Sequence, residues 1–162
     1  MMPDFRVGCG YDVHALAPGV PFWLGGIEVP HTAGAVGHSD ADVLLHVICD
    51  ALLGAIALGD IGQHFPDTDP AYKGIDSKKL LAEVYDLVLD KGWELVNVDS
   101  IVCLQRPKIA GYVPAMRQSI AGVMGVDFSR VSVKATTTEK LGFVGREEGV
   151  SAHAVVMLRR RD

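Results

Sequence analysis

A chain of 162 residues, 49% hydrophobic and 22% charged, can bury one core but not two, so a single folded domain spanning 1–162 is expected and long disordered stretches are excluded. The formal net charge of -5, from 15 Lys+Arg against 20 Asp+Glu, argues against general attraction to nucleic acid or a membrane surface; a polyanionic ligand would need positive potential supplied locally. Cys9, Cys49 and Cys103 are far apart and form no C-x-x-C pair, so neither a disulfide framework nor a cysteine zinc site is suggested and a reducing compartment fits.

Met1-Met2-Pro3-Asp4 lacks the basic and apolar parts of a signal peptide, and a strand beginning at Phe5 leaves no room for a transit peptide, so a cytoplasmic location is expected. Residues 6–12 are predicted as that strand, and Gly25-Gly26 joins 22–24 to 27–29 as a hairpin. Ser39 is suited to N-cap a helix reaching about Leu58, with Asp42 in its first turn or itself the cap. The apolar run 43–58 is interrupted by His46 and Asp50 and falls short of the roughly 20 residues of a membrane span, so it is predicted as a buried helix.

Residues 59–75 are crowded with turn formers and predict a long functional loop. Ser77 can cap a second helix through Asp90, ended by Gly92. A strand over 94–104, a helix over 114–124 closed by Gly125, and strands over 131–137 and 150–158 complete the chain. The order lacks a regular β-α-β repeat and predicts an α+β fold, one mixed sheet with helices packed on one face, leaving another face that oligomerisation could cover.

Asp12-Val13-His14 places a carboxylate and an imidazole on the same side of a strand. His46, on the apolar helix, is a third ligand candidate, and one carboxylate with two imidazoles suits Zn²⁺ with its fourth tetrahedral position open. A D-x-H triplet is also common without metal, and a histidine in an apolar helix is often only a hydrogen-bonded core residue. Asp50, one turn beyond His46, could orient its imidazole. The turn Gly37-His38-Ser39-Asp40 offers a helix N-terminus attractive to phosphate, unless Ser39 only caps. Lys134-Ala135-Thr136-Thr137-Thr138-Glu139-Lys140 gathers hydroxyls, a carboxylate and two ammonium groups, although a threonine run also suits an edge strand.

These segments, with His38-Ser39-Asp40-Ala41-Asp42, Ala51-Leu52-Leu53-Gly54-Ala55, Gly59-Asp60-Ile61-Gly62, Phe65-Pro66-Asp67-Thr68-Asp69-Pro70 and Asn97-Val98-Asp99, resemble the 2-C-methyl-D-erythritol 2,4-cyclodiphosphate synthase family from about Arg6 to Leu158. The chain looks like the monofunctional form. The resemblance implies a homotrimer with interfacial active sites and the substrate 4-diphosphocytidyl-2-C-methyl-D-erythritol 2-phosphate, closed to the cyclic diphosphate with release of CMP. Asp12, His14 and His46 would then bind Zn²⁺, and Glu139 a second divalent ion, Mg²⁺ or Mn²⁺. His38, Thr137 and Glu139 would act in catalysis, and His38 and Ser39 would contact the 2-phosphate.

By the same resemblance Asp60, Ile61, Gly62, Phe65, Asp67, Thr68 and Asp69 would line the methylerythritol pocket. Leu104, Gln105, Arg106, Pro107, Lys108, Thr136, Thr137 and Thr138 would form the cytidine and diphosphate side, contributed by a neighbouring subunit. Two departures stand out: Ala41 where relatives often carry glycine, and Tyr11 for a frequent phenylalanine. With Phe143 and Arg146, Tyr11 corresponds to a channel that in relatives can hold an isoprenoid diphosphate. The same ligand set would also serve a metal-dependent phosphodiesterase or pyrophosphatase if the open position held water, or a non-catalytic metal or isoprenoid-diphosphate binder.

Overall fold

The computed structural model describes residues 4–161; Met1 to Pro3, part of the segment read for targeting, lie outside them, as does Asp162. The elements run β1 (Phe5–Pro18), β2 (Trp23–Leu24), β3 (Ile27–Glu28), β4 (Ala33–Ala35), α1 (Val43–Ala55), α2 (Ile61–His64), α3 (Ser77–Asp90), β5 (Trp93–Cys103), α4 (Val113–Met124), β6 (Val131–Thr136), α5 (Gly142–Gly145) and β7 (Gly149–Arg160). Five strands form one mixed sheet in the order β4-β1-β7-β5-β6, antiparallel except for the β5–β6 pair, while β2 and β3 make the expected small hairpin. The predicted single α+β domain is what the chain adopts.

Alternation along the strands decides which face becomes the core. On β7, Ala152, Ala154, Val156 and Leu158 are buried while His153, Val155, Met157 and Arg159 point the other way and are exposed. Helix α1 lies on the buried face against β1 and β7, α3 packs on α1 and β5, and α4 on β6. Leu44, Leu45, Ile48, Leu52 and Leu53 are fully enclosed, each contributing about 1.5–3 kcal/mol of transfer free energy, an upper bound that ignores residual burial in the unfolded chain. The helix is apolar nearly all round because it sits between the sheet and α3, as the buried-helix reading expects.

Two glycines set how closely α1 approaches. A Cβ on Gly8 would fall 1.8 Å from the Ala51 carbonyl oxygen, and one on Gly10 2.1 Å from that of Val47. Backbone therefore rests on backbone, and one further step along the same strand face brings Asp12 beneath His46.

The opposite face of the sheet is left open. Phe5, Val7, Tyr11 and Val13 of β1 and Val155 and Met157 of β7 are among its exposed large hydrophobics, with Val7 62% exposed and Tyr11 54%. No helix among the described residues is long and apolar enough to cross a membrane.

Several boundaries differ from the sequence reading. Strand β1 runs on to Pro18 because its second half pairs with β4 as well as β7, so Asp12 and His14 sit within the strand and not at its end. Helix α1 starts at Val43 with Asp42 as its cap, not Ser39, because Ala41 adopts a left-handed backbone (φ 58°) that breaks helical continuity. Asp42 accepts hydrogen bonds from the Leu45, Gly25 and Gly26 N–H groups, which ties the helix start to the β2–β3 turn. Asp76, not Ser77, caps α3, its carboxylate accepting from Lys78 N–H. The 59–75 segment is largely irregular, with the short α2 and a 3-10 turn at Pro70–Tyr72 inside it.

Candidate active site

Strand β1 and helix α1 carry three side chains to one point. Asp12 Oδ2 lies 3.0 Å from His14 Nε2 and 3.2 Å from His46 Nδ1, and the two ring nitrogens are 3.1 Å apart. A cation about 2.0–2.1 Å from three tetrahedral ligands would separate those ligand atoms by roughly 3.3 Å, so the triangle has the size of one face of such a site. Asp12, His14 and His46 are the one group of three His, Cys, Asp or Glu residues among the described residues placed to hold a metal ion.

Burial would raise the Asp12 carboxyl, but hydrogen bonds and charge from His14 and His46 outweigh it and hold this group well below the usual carboxylate range. Asp12 is therefore an anion at neutral pH, ready for a cation. Its other oxygen accepts the Val13 N–H at 2.8 Å, which fixes Oδ2 toward the imidazoles.

The triangle opens into a hollow of about 460 Å³ whose lining includes Gly37, His38, Ser39, Ile61, Gly62, Phe65, Asp67 and Tyr72 as well as the three ligand candidates. Histidines and carboxylates supply all its ionisable groups apart from the Tyr72 phenol, and neither lysine nor arginine lines it. Of the remaining sequence-predicted residues on this side, Asp60 caps α2 by accepting from Gln63 N–H at 3.1 Å. Asp69 caps the following 3-10 turn, and its carbonyl faces His38 Nε2 at 3.3 Å. Thr68 is exposed beside them.

Two expectations about neighbours of His46 are corrected. Asp50 does not orient the imidazole; it accepts the Ile61 N–H at 2.8 Å and so anchors the start of α2 to α1. Burial pushes the Asp50 carboxyl up, with the Ile61 N–H opposing. The Gly37-His38-Ser39-Asp40 turn is not a helix N-terminus, because α1 begins later, at Val43, with Asp42 as its cap accepting the Leu45 N–H. Burial likewise pushes the Asp42 carboxyl up, against three N–H donors. The ring of His46 instead meets Ser77 Oγ at 3.0 Å and Ser39 Oγ at 3.1 Å.

Sequence reasoning missed Ser77, Tyr72, Ile75 and Leu80 as neighbours of this site. Ser77 carried a signal, a hydroxyl at a helix start, but nothing local connects it to a residue 31 positions earlier.

The second group lies elsewhere in the chain. Leu104, Gln105, Pro107, Lys108, Thr136 and Thr137 line a separate hollow of about 170 Å³ at the ends of β5 and β6. Arg106 turns away to form an exposed two-bond pair with Glu147, and Arg146 does the same with Glu148. Glu139 and Lys140 both take left-handed backbone, φ 53° and 63°, in a turn held by Glu139 N–H to Thr137 Oγ1 and Thr138 O–H to the Leu141 carbonyl. Glu139 is exposed and is not part of the Asp12 group; Phe143 is also exposed.

Comparison with known proteins agrees with this arrangement. The model of the YgbB family matches residues 5–159. A Porphyromonas gingivalis protein named 2-C-methyl-D-erythritol 2,4-cyclodiphosphate synthase is 57% identical over 158 residues, 98% of either chain. The bifunctional IspDF of Campylobacter jejuni superposes with a TM-score of 0.96 at 44% identity, covering 99% of this chain, which spans 44% of the length of that longer one. A 2C-methyl-D-erythritol-2,4-cyclodiphosphate synthase in its CDP-bound form gives a TM-score of 0.87 at 38% identity over 94% of this chain and 99% of that one.

Proposed function

The chain belongs to the YgbB family, and from that premise we infer that it converts 4-diphosphocytidyl-2-C-methyl-D-erythritol 2-phosphate to 2-C-methyl-D-erythritol 2,4-cyclodiphosphate with release of CMP, a step of non-mevalonate isoprenoid precursor synthesis. An oxygen of the 2-phosphate attacks the β-phosphorus of the same molecule. The bond from that phosphorus to the bridging oxygen breaks, and the oxygen leaves with CMP. The attacking group is already anionic, so no side-chain nucleophile or general base is needed; alignment and charge neutralisation remain.

One observation carries the reading: the larger hollow has carboxylates and no lysine or arginine in its wall but a three-atom ligand face, so a cation held there would supply the positive charge a polyanionic substrate needs. A divalent cation on Asp12, His14 and His46, which we take to be Zn²⁺, would supply Lewis acidity and neutralise phosphate charge. The chain's own groups do the rest. His38 and Ser39 line the hollow and contact the 2-phosphate, Ser39 with a hydroxyl able to donate, while Ile61, Gly62, Phe65 and Asp67 line the methylerythritol part.

The hollow at Leu104 to Lys108 and Thr136 to Thr137 is our candidate for the cytidine and diphosphate side, and the CDP-bound relative supports a ligand of that kind. Glu139 would hold the second divalent ion, Mg²⁺ or Mn²⁺. Because the two hollows are separate within one chain, we propose a homotrimer in which the second is presented by a neighbour, the open apolar face of the sheet being the surface buried. Occupation of a channel at Tyr11, Phe143 and Arg146 by an isoprenoid diphosphate would require Arg146 to exchange Glu148 for the ligand.

Phosphorus NMR of the purified chain with the cytidyl substrate and Mg²⁺ tests the function: CMP and a cyclic diphosphate should appear together. CMP with an open-chain product, labelled from oxygen-18 water, would instead identify a phosphodiesterase.

A further inference from the structure

We propose that Asp40, acting through Ser77, holds a proton on His46 Nε2 so that Nδ1 is the nitrogen a cation beside Asp12 and His14 can take, making both positioning residues for the metal face. The proposal rests on the metal reading given above.

His46 is buried, with its two ring nitrogens in different company. Nδ1 faces Asp12 Oδ2 and His14 Nε2, while Nε2 faces Ser77 Oγ and Ser39 Oγ. A neutral imidazole has one N–H, so Nδ1 can ligate a cation only when the proton sits on Nε2. A serine beside Nε2 does not decide this alone, since a hydroxyl can donate or accept.

Ser77 is constrained by its own partner. Its Oγ lies 2.5 Å from Asp40 Oδ1, and its backbone N–H reaches Asp40 Oδ2 at 2.9 Å. A carboxylate accepts only, so the Ser77 proton points at Asp40 and the oxygen turns a lone pair to His46. A bare Nε2 would place lone pair against lone pair in a fully buried contact; a protonated Nε2 makes a hydrogen bond.

Asp40 is itself held, because Oδ1 also accepts the Asp42 N–H at 3.2 Å. It thereby joins the loop before α1 to the first residue of α3. Ser39 fits the same assignment: its oxygen accepts the Ala41 N–H at 3.1 Å and faces Nε2, leaving its own proton free to point into the hollow toward a phosphate oxygen. A carboxylate, a hydroxyl and an imidazole thus form a directed chain ending at the metal face, the outer partners that fix ring orientation in metal sites.

Long-range proton–nitrogen correlation NMR on the full chain, labelled with ¹⁵N-histidine, reads the tautomer directly. The wild type should carry a proton on His46 Nε2 both with and without zinc, whatever Asp12 draws to Nδ1 in the metal-free chain; an Nε2 without a proton would overturn the proposal. In Asp40→Asn the carboxamide can donate to Ser77 Oγ, releasing the Ser77 proton toward Nε2, so His46 should shift to the Nδ1–H form. Zinc competition against a chromophoric chelator should show Asp40→Asn and Ser77→Ala weakened about 10–100-fold. Folded variants that keep both the wild-type tautomer and an affinity within about twofold of wild type would contradict the relay. Failure of the wild type itself to take up zinc would instead remove the metal reading on which the relay stands.

Discussion

The floor of the larger hollow and the Thr136 to Glu139 turn both gather polar groups, one along a strand and one at a strand's end, yet the fold treats them oppositely. Asp12, His14 and His46 are drawn together by the packing of α1 on β1, with glycine backbone against helix backbone and hydroxyls fixing the ring of His46. Thr136, Thr137 and Glu139 are exposed where β6 runs into a turn with Glu139 and Lys140 on left-handed backbone, and they are satisfied mostly by that turn. The first group meets within one chain; the second lies apart from it, as the proposed interfacial site requires.

The largest effect should come from removing one corner of the metal face. His14→Ala is expected to lower CMP release by about 10³-fold or more, the loss of several kcal/mol of charge stabilisation at about 1.4 kcal/mol per tenfold, with melting temperature little changed. Val155→Asp puts a charge on the open face and tests the other half of the contrast. A charge buried without a partner costs several kcal/mol, so sedimentation velocity should show the assembly dissociated and turnover should fall by roughly 10²-fold. Zinc affinity, a property of the single chain, should stay within about twofold of wild type.

Gly10→Ala should wedge α1 away from β1, because the new Cβ would meet the Val47 carbonyl. The expected loss is about 1–3 kcal/mol, read as a fall of about 2–4 °C in Tm per kcal/mol, with weakened zinc binding.

The smallest effect concerns Asp50, whose carboxyl burial raises. A raised carboxyl favours the folded state below the ordinary carboxylate range, and that contribution is lost as pH rises through the folded-state value. Asp50→Asn keeps an acceptor for the Ile61 N–H without the charge. Thermal melts should therefore show the variant gaining on wild type as pH rises upward from the ordinary carboxylate range, by well under about 1 kcal/mol since Asp50 is half-exposed and solvent screens it.

Much of the metal face was legible before the fold was known. The two-residue spacing of Asp12 and His14 requires only that the segment be extended, and His46 stood out as the imidazole of an apolar helix. The caps were harder, because Ser39 and Asp42, like Asp76 and Ser77, are all competent capping residues. The choice fell to Ala41's left-handed backbone and to the Gly25 and Gly26 N–H groups, neither of which is visible in a local window. Gly8, Gly10, Asp40 and Ser77 act through partners 31 to 43 positions away, so their roles emerge only in the packed chain. The turn at Thr136 to Glu139 was legible as composition, while its isolation from the metal face is a property of three dimensions.

Anomalous diffraction at the zinc edge from zinc-loaded crystals tests most directly whether Asp12, His14 and His46 form a cation site at the floor of a hollow without fixed positive charge. The account predicts a single strong peak about 2.0–2.2 Å from Asp12 Oδ2, His14 Nε2 and His46 Nδ1, with one coordination position facing the hollow. A fully active enzyme whose metal density lies away from all three would contradict it.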